Sequence, residues 1–491
     1  MSLLNKLWNY GILGYRVYSY YQAYKKNNTH DDIAIEPILE SVFKCGPVCI
    51  KFCQWIIPHF EILHIEENNL KDLRYEKPLW IQKLSKVFES CPEHSLRHTY
   101  EEYERAYDRQ FSLDYRILEC VGSGSIGQVY KIQNIHTHKM YALKVLHPDI
   151  DEELRFFERL YYVIHSVLCV YYQKHAMVPL NIPSFISVFK EQSNFIKEAN
   201  NLLKMKDNYR DNPYLIFPEI IRVSKNVLMM EYVNGVIFDD LKDVSENVKS
   251  KVYTMLYLYT RDMVLVTNFN HGDLHASNWK VVPDCESKIG YRIVIYDFGY
   301  CWSVKEERKK LVTQSMDVFE SYDKKSAEDT MKDFSDLFYD SIEHSHISDN
   351  SGKLRLRHNI LEYIRMSPMV GMSKIGIIMT PTRIYKFISE FCYANGLLMT
   401  HELIQFVILY TQLHITCAKY GYSEIDGITE RENVYKERYI HCLNFCNTYD
   451  IFPEYREYIN DKLNQMQPFR GSLFDQIDMK KFESLKGSAI S

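Results

Sequence analysis

Residues 271 to 278 read His-Gly-Asp-Leu-His-Ala-Ser-Asn, and residues 295 to 299 read Ile-Tyr-Asp-Phe-Gly. Any fold compatible with both segments must supply a polar loop that places Asp273 five residues before Asn278, then a second carboxylate, Asp297, at a Phe-Gly turn. Phosphoryl transfer from ATP uses these residue types in this order: one carboxylate to hold the acceptor hydroxyl, then an amide oxygen and a second carboxylate to hold magnesium. A chance polar loop followed by a β-bulge would explain either segment alone. It does not explain both at this spacing.

A matching half lies upstream. Gly122-Ser-Gly-Ser-Ile-Gly127-Gln-Val129 follows the Gly-x-Gly-x-x-Gly-x-Val pattern of a loop that covers phosphates. Gly122, Ser123, Gly124, Ser125, Ile126, Gly127 and Val129 are therefore nucleotide-binding candidates, with glycines allowing close approach of the backbone. The same glycine spacing occurs where a dinucleotide-binding turn opens a helix. Here, however, Gln128–Ile132 and Met140–Leu146 read as consecutive strands, the second containing Lys144. A helix over Val188–Arg210 is expected to carry the carboxylate that holds Lys144, with Glu198 preferred and Glu191 second. Val227–Val233 reads as a buried strand leading into a hinge, where backbone at Glu231 and Val233 would meet adenine.

Composition sets the bounds. With 491 residues, 46% hydrophobic and 25% charged, the chain can bury a large core. A net charge of −5 argues against a nucleic-acid partner. Twelve scattered cysteines without a Cys-x-x-Cys pair read as reduced thiols of an intracellular chain rather than a disulfide framework. Cys45, Cys49 and Cys53 would share one helix face as core residues, and His344 and His346 receive no metal role. The sequence lacks an 18-residue apolar run. Its first thirty residues combine Leu3, Leu4, Leu7, Trp8, Tyr15 and Tyr18 with Lys6, Arg16, Lys25 and Lys26 and contain no acid before Asp31. That pattern fits a helix docked on its own domain, with a lipid or membrane surface as the competing partner.

These motifs together resemble the ABC1/ADCK/UbiB family of atypical kinase-like proteins, part of the protein kinase superfamily. Ser125–Val129 resembles that family's nucleotide loop, Ala142–Pro148 its lysine strand, Gln192–Asn200 its Gln-x-Asp-x-x-x-Glu-Ala-x-Asn helix, and His271–Asn278 its catalytic loop. Gly46–Gln54 resembles the Lys-x-Gly-Gln extension, which implies substrate-pocket roles for Lys51 and Gln54, and Leu397–Tyr420 resembles a closing helix. Three positions depart from the pattern. Gly122-Ser-Gly124 stands where Ala-Ala-Ala is usual, Cys53 takes a glycine position, and Asn194 replaces an aspartate.

The resemblance implies an α+β, bilobal protein-kinase-like fold with a small β-rich N-lobe, a mainly helical C-lobe and an N-terminal helical extension. The motif positions place the extension at 1–110, the N-lobe at 111–232, the C-lobe at 233–430 and a tail at 431–491. Leu154–Tyr172 reads as a buried helix and Ser345–Gly352 as a loop. The implied cofactors are ATP and Mg2+, with Asp273 as catalytic carboxylate and Asn278 and Asp297 as metal ligands. No Ala-Pro-Glu follows Asp297, so a peptide-binding platform is not visible and the acceptor stays open. The leading expectation is a magnesium-dependent phosphotransferase or ATPase in a lipid or isoprenoid context. A protein Ser/Thr kinase and a nucleotide-gated scaffold without transfer are the alternatives.

Overall fold

The β-favouring runs Gln128–Ile132 and Met140–Leu146 predict a hairpin, and the computed structural model contains one. Strands β1 (Tyr115–Ser123), β2 (Gly127–Asn134) and β3 (Met140–Leu146) pair antiparallel. With β5 (Ile220–Val223) and β6 (Val227–Glu231) they form one sheet in the order β1-β2-β3-β6-β5. The structure describes residues 3–27, 34–64, 79–84, 91–172, 180–210, 212–241, 267–287, 290–304, 327–344, 346–366 and 381–405, with scattered positions between 244 and 263 and at 408 and 443.

The described chain divides into two compact units. The first comprises residues 1–172, 182–244 and 271–302; the second comprises 173–181, 245–270 and 303–491. All the named site residues fall in the first unit.

Strand periodicity decides which side chains face which layer. Tyr130, Ile132, Leu143, Val145, Val227 and Met229 point to one face of the sheet, against Tyr103 of helix α5 (Leu96–Tyr107) and Phe111. Leu146 and Leu228 point to the other face, against Phe195 and Ala199. Lys144 is two residues from Leu146 and directly opposite Leu228, so it shares that second face.

Before α5 come α1 (Leu3–Asn27), α2 (Glu36–Cys45), α3 (Pro47–His64) and α4 (Leu79–Leu84). The inner face of α1 is docked: Tyr10, Leu13 and Tyr20 pack on a core that includes Ile35, Leu39 and Ile50. Asn9 also donates to the Lys44 carbonyl at 2.9 Å. Cys45, Cys49 and Cys53 do not lie on one helix, because Gly46 (φ +97°) separates α2 from α3. The positive φ is what favours glycine at this bend, since the carboxylate of Glu153, 2.7 Å from where a Cβ would lie, ends a flexible side chain that can shift. The three thiols still meet, with Cys49 in hydrogen-bonding reach of the other two, which agrees with their reading as core residues.

Two further expectations need correction. Helix α6 spans Ile150–Tyr172, but burial is confined to its first half, through Ile150, Leu154 and Phe157. Val163, Val167, Val170 and Tyr171 are exposed. The single helix expected over 188–210 is two, α7 (Ile182–Gln192) and α8 (Phe195–Asn208). Asn194 makes the break: in extended conformation, its side chain accepts from the Ile196 N–H at 3.1 Å and caps α8. Asparagine and aspartate cap comparably, so the departure at this position preserves the helix start.

The remaining strands of the first unit frame the polar loop. β8 (Trp279–Pro283) and β9 (Tyr291–Ile295) form an antiparallel hairpin, and β4 (Leu215–Ile216) adds to β9 in parallel. In the second unit, α9 (Ala327–Asp340), α10 (Asn350–Met366) and α11 (Pro381–Asn395) bury Ile360, Ile364, Ile388 and Cys392. Phe338 contacts Phe391 edge-on at 5.3 Å. The expected loop over 345–352 is shorter than predicted, because α10 starts at Asn350. Leu398–Met399 is a short strand, β12, paired with β11 (Ile342–Glu343), so the expected closing helix does not begin at Leu397. Most of that expected helix, and the segment 305–310, lie outside the described residues.

Replacing Asn194 with Ala should cost about 1 kcal/mol of stability, and replacing it with Asp should cost little. Chemical denaturation of the two variants would measure both.

Candidate active site

Lys144 is where three distant motifs meet. Its ammonium donates to both Glu198 oxygens at 2.8 and 2.9 Å and to Asp297 Oδ1 at 3.0 Å. The sheet register aims Lys144 at α8, and Glu198 sits in that helix's first turn, where the helix dipole favours an anion. The Phe195 ring adds a cation–π contact, 5.2 Å from the ammonium. Glu191, the second choice, lies on α7 and pairs with Lys197 at 3.1 Å.

Charges in this cluster are interdependent. Burial pulls Lys144 down, but Asp297 and Glu198 outweigh it and hold the ammonium above its ordinary value. Burial pushes Glu198 up to about 7 against the pull of Lys144. Desolvation raises Asp297, yet Lys144 and then Lys51 outweigh it, so Asp297 titrates below the usual carboxylate range. One ammonium faces two carboxylates, leaving an excess of negative charge suited to a divalent cation.

The hairpin register explains how Asn278 comes beside the second motif. Trp279 pairs with Ile295, so the residues just outside that pair, Asn278 and Tyr296, are adjacent. The Tyr296 N–H donates to the Asn278 carbonyl at 2.9 Å. The Asn278 side-chain amide donates to the Asp273 carbonyl at 2.7 Å, closing the loop on itself. Asn278 Oδ1 and the Asp297 carboxylate are hard oxygen donors of the kind magnesium takes alongside waters and phosphate oxygens. Among the described residues no cluster of three or more histidine, cysteine, aspartate or glutamate side chains could hold a metal by itself.

His271 is a buried anchor for the same loop. Its Nε2–H donates to the Tyr296 carbonyl at 3.0 Å, and its Nδ1 accepts from the Asp273 N–H at 3.2 Å. The next residue must be small: a Cβ at Gly272 would come within 2.3 Å of the Tyr300 ring, whose own carbonyl accepts from the Gly272 N–H at 2.8 Å. Asp297 has φ +54°, an uncommon non-glycine conformation, and accepts from the Gly299 N–H at 3.2 Å.

The extension reaches both halves of the site. Lys51 donates to Asp273 Oδ2 at 3.1 Å, and Ser125 donates its hydroxyl proton to Gln54 Oε1 at 2.9 Å. Burial would raise Asp273, but Lys51 and then His275 outweigh it, so this carboxylate stays ionised. His275 Nε2 lies 3.8 Å from Asp273 Oδ1 and 3.2 Å from the Asn278 amide nitrogen. The sequence reading passed over His275, although the second histidine of His-Gly-Asp-Leu-His was the available signal. Cys53, in the glycine position, packs on the α1–α2–α3 core and does not keep Lys51 or Gln54 from the site.

The glycine loop is tighter than its length in sequence. Gly122 and Ser123 belong to β1, while Gly127 and Val129 belong to β2, leaving Gly124, Ser125 and Ile126 at the tip. Gly127 is sterically required, since a Cβ would meet the Val145 carbonyl at 2.6 Å, whereas Gly122 faces open space. At the expected hinge, the Val233 carbonyl accepts from Tyr296 Oη–H at 3.0 Å and from the Gly235 N–H at 3.1 Å. The Glu231 N–H donates to the Glu219 carbonyl at 2.7 Å.

Burial lowers the His271 pKa, so the unfolded chain binds a proton here more readily than the fold does. Its stabilising share is complete above roughly pH 6.5, the ordinary histidine value, and is lost as the pH falls below that. Melting temperatures measured from pH 7 to pH 5 should therefore decline less steeply for His271→Gln than for the wild type.

Comparison with known proteins agrees with this geometry. Residues 84–331 match the ABC1 atypical kinase-like domain. The chain is 29% identical over 253 residues to a probable serine/threonine-protein kinase, abkC, of Dictyostelium discoideum, covering 49% of this chain and 34% of that protein. It is 25% identical to a chloroplastic kinase of Arabidopsis thaliana named for activity of the bc1 complex, covering 47% and 33%. It is 23% identical to a probable protein kinase, UbiB, of Klebsiella pneumoniae, covering 60% and 53%. The chain thus spans between a third and about half of the length of these relatives. The α+β architecture, the N-terminal helices and the domain match over half of the sequence agree: the chain belongs to the ABC1 atypical kinase-like family.

Proposed function

We propose that this protein binds magnesium-ATP and transfers its terminal phosphoryl group to a small acceptor or to water. The observation that carries the reading is the convergence of β3, α8 and the Asp-Phe-Gly turn on the Lys144 ammonium. Lys144 is fixed by two donors to Glu198, and the third N–H, now given to Asp297, is the one that would pass to a phosphate oxygen. Backbone amides at the loop tip, at Ser125 and Ile126, supply uncharged donors to phosphates, while the Gly124 N–H closes the tip on the Gly127 carbonyl at 3.0 Å. Asn278 and Asp297 would hold magnesium, which offsets charge on the phosphates when bound. Asp273 orients the acceptor hydroxyl and takes its proton, while Lys51 holds the carboxylate through Oδ2. The Dictyostelium relative's description as a serine/threonine kinase supports a peptide acceptor as the second reading.

A lipid context is supported by α1. Its outer face exposes Leu4 at 78%, Trp8 at 71% and Tyr15 at 72%, while its inner face is docked. The helix has no acid and ends in Lys25 and Lys26, which suits an anionic bilayer surface. No described helix is long and apolar enough to cross a membrane.

Asp273→Asn should keep magnesium-ATP binding, read as a thermal shift, and lose ~10²–10⁴ of phosphate release. Asp297→Ala should lose the shift itself. Wild-type turnover in Asp273→Asn would end the proposed role. Sedimentation with vesicles tests the lipid surface: binding should require anionic lipid and fall when Trp8 and Tyr15 are both changed to Glu. Equal binding to neutral vesicles would remove the electrostatic argument.

A further inference from the structure

Against the glycine loop runs a chain of hydrogen bonds that the phosphotransfer chemistry does not use. His147 Nε2 lies 2.8 Å from the Gly124 carbonyl. His147 Nδ1 lies 2.8 Å from His94 Nδ1, and His94 Nε2 lies 3.0 Å from Thr99 Oγ1. Thr99 Oγ1 in turn lies 2.9 Å from Tyr130 Oη. His147 follows β3, His94 and Thr99 flank the start of α5, and Tyr130 is on β2.

The chain has one consistent direction when both rings are neutral. A carbonyl only accepts, so His147 Nε2 carries the proton and His147 Nδ1 accepts. His94 must then donate from Nδ1 and accept at Nε2, which makes Thr99 the donor to His94 and Tyr130 the donor to Thr99. Burial lowers both histidines, His94 to about 3, in keeping with two neutral rings. The same segment grips the loop at two more points: the His94 N–H donates to Gln128 Oε1 at 3.0 Å, and Ser123 Oγ–H donates to the Pro92 carbonyl at 3.2 Å.

The terminal bond fixes one peptide plane. In a trans peptide, the carbonyl of one residue and the N–H of the next point in opposite directions, and the described chain has no cis peptide bond. With the Gly124 carbonyl turned to His147, the Ser125 N–H is turned away from it. Ser125 itself meets Gln54 through its hydroxyl, one helical turn from the Lys51 that contacts Asp273.

We propose that His147, oriented by His94, is a positioning residue for the nucleotide loop: it turns the Gly124–Ser125 peptide so that the Ser125 N–H is presented to an ATP phosphate. The inference rests on the nucleotide-binding reading above.

The test measures ATP and adenosine affinities of the full-length protein by calorimetry. Wild type should bind ATP; if it does not, the nucleotide reading fails and this proposal with it. Given wild-type binding, His147→Phe and His94→Leu should each weaken ATP by roughly 3- to 10-fold, the worth of one hydrogen bond, and leave adenosine unchanged. His94→Asn, whose amide can donate near the lost Nδ1–H, should recover most of the affinity. Should the ring variants fail to fold, Thr99→Val breaks the chain with almost no change of shape and should lower ATP affinity alone. Unchanged ATP affinity in the folded variants, or an equal loss for ATP and adenosine, overturns the positioning role while leaving nucleotide binding intact.

Discussion

The Lys144 ammonium is the interaction on which the rest of the site depends. A buried amine is tolerated only when carboxylates compensate its lost hydration. Glu198 and Asp297 do so from two separate elements. Removing one partner leaves uncompensated charge in a partly dry setting, so the sheet, α8 and the Asp-Phe-Gly turn are tied energetically as well as spatially. The excess carboxylate charge fits a site that is completed by a cation.

Around that centre the protein controls orientation mainly through the backbone. His271 fixes the 271–278 loop by holding one carbonyl and one amide. Asn278 closes the same loop on the Asp273 carbonyl. On the other strand pair, the His94–His147 chain ends on a carbonyl of the glycine loop. Helix α3 then spans the two halves, because Lys51 and Gln54 are one turn apart and contact Asp273 and Ser125 together. A shift of that helix that frees one of these contacts disturbs the other.

Much of this was legible in the sequence, for identifiable reasons. The strand assignment of Lys144 followed from β-favouring runs after the glycine loop, and the ion pair observed is with Glu198 rather than Glu191. Helix ends were less legible. Asn194 sits inside a continuous apolar pattern, and only its extended backbone and side-chain cap reveal two helices. The distal half of α6 misled for another reason: its residues are apolar, but the fold leaves them exposed. Cys45, Cys49 and Cys53 keep their helical spacing across a bend set by a single glycine with positive φ. The histidine chain could not be read at all, since His94 and His147 are 53 residues apart and meet only through the sheet.

The β8–β9 hairpin has an evolutionary consequence. The two acidic motifs are brought together by the register that pairs Trp279 with Ile295, not by the number of residues between them. The turn beyond Pro283 can therefore lengthen with little penalty, since loop-closure entropy grows only logarithmically. A single-residue insertion within either strand would instead invert its faces and carry Asn278 away from Asp297. Length variation among relatives should collect at the tip of this hairpin, making the interval between the two motifs a poor measure of divergence and the strand register a good one.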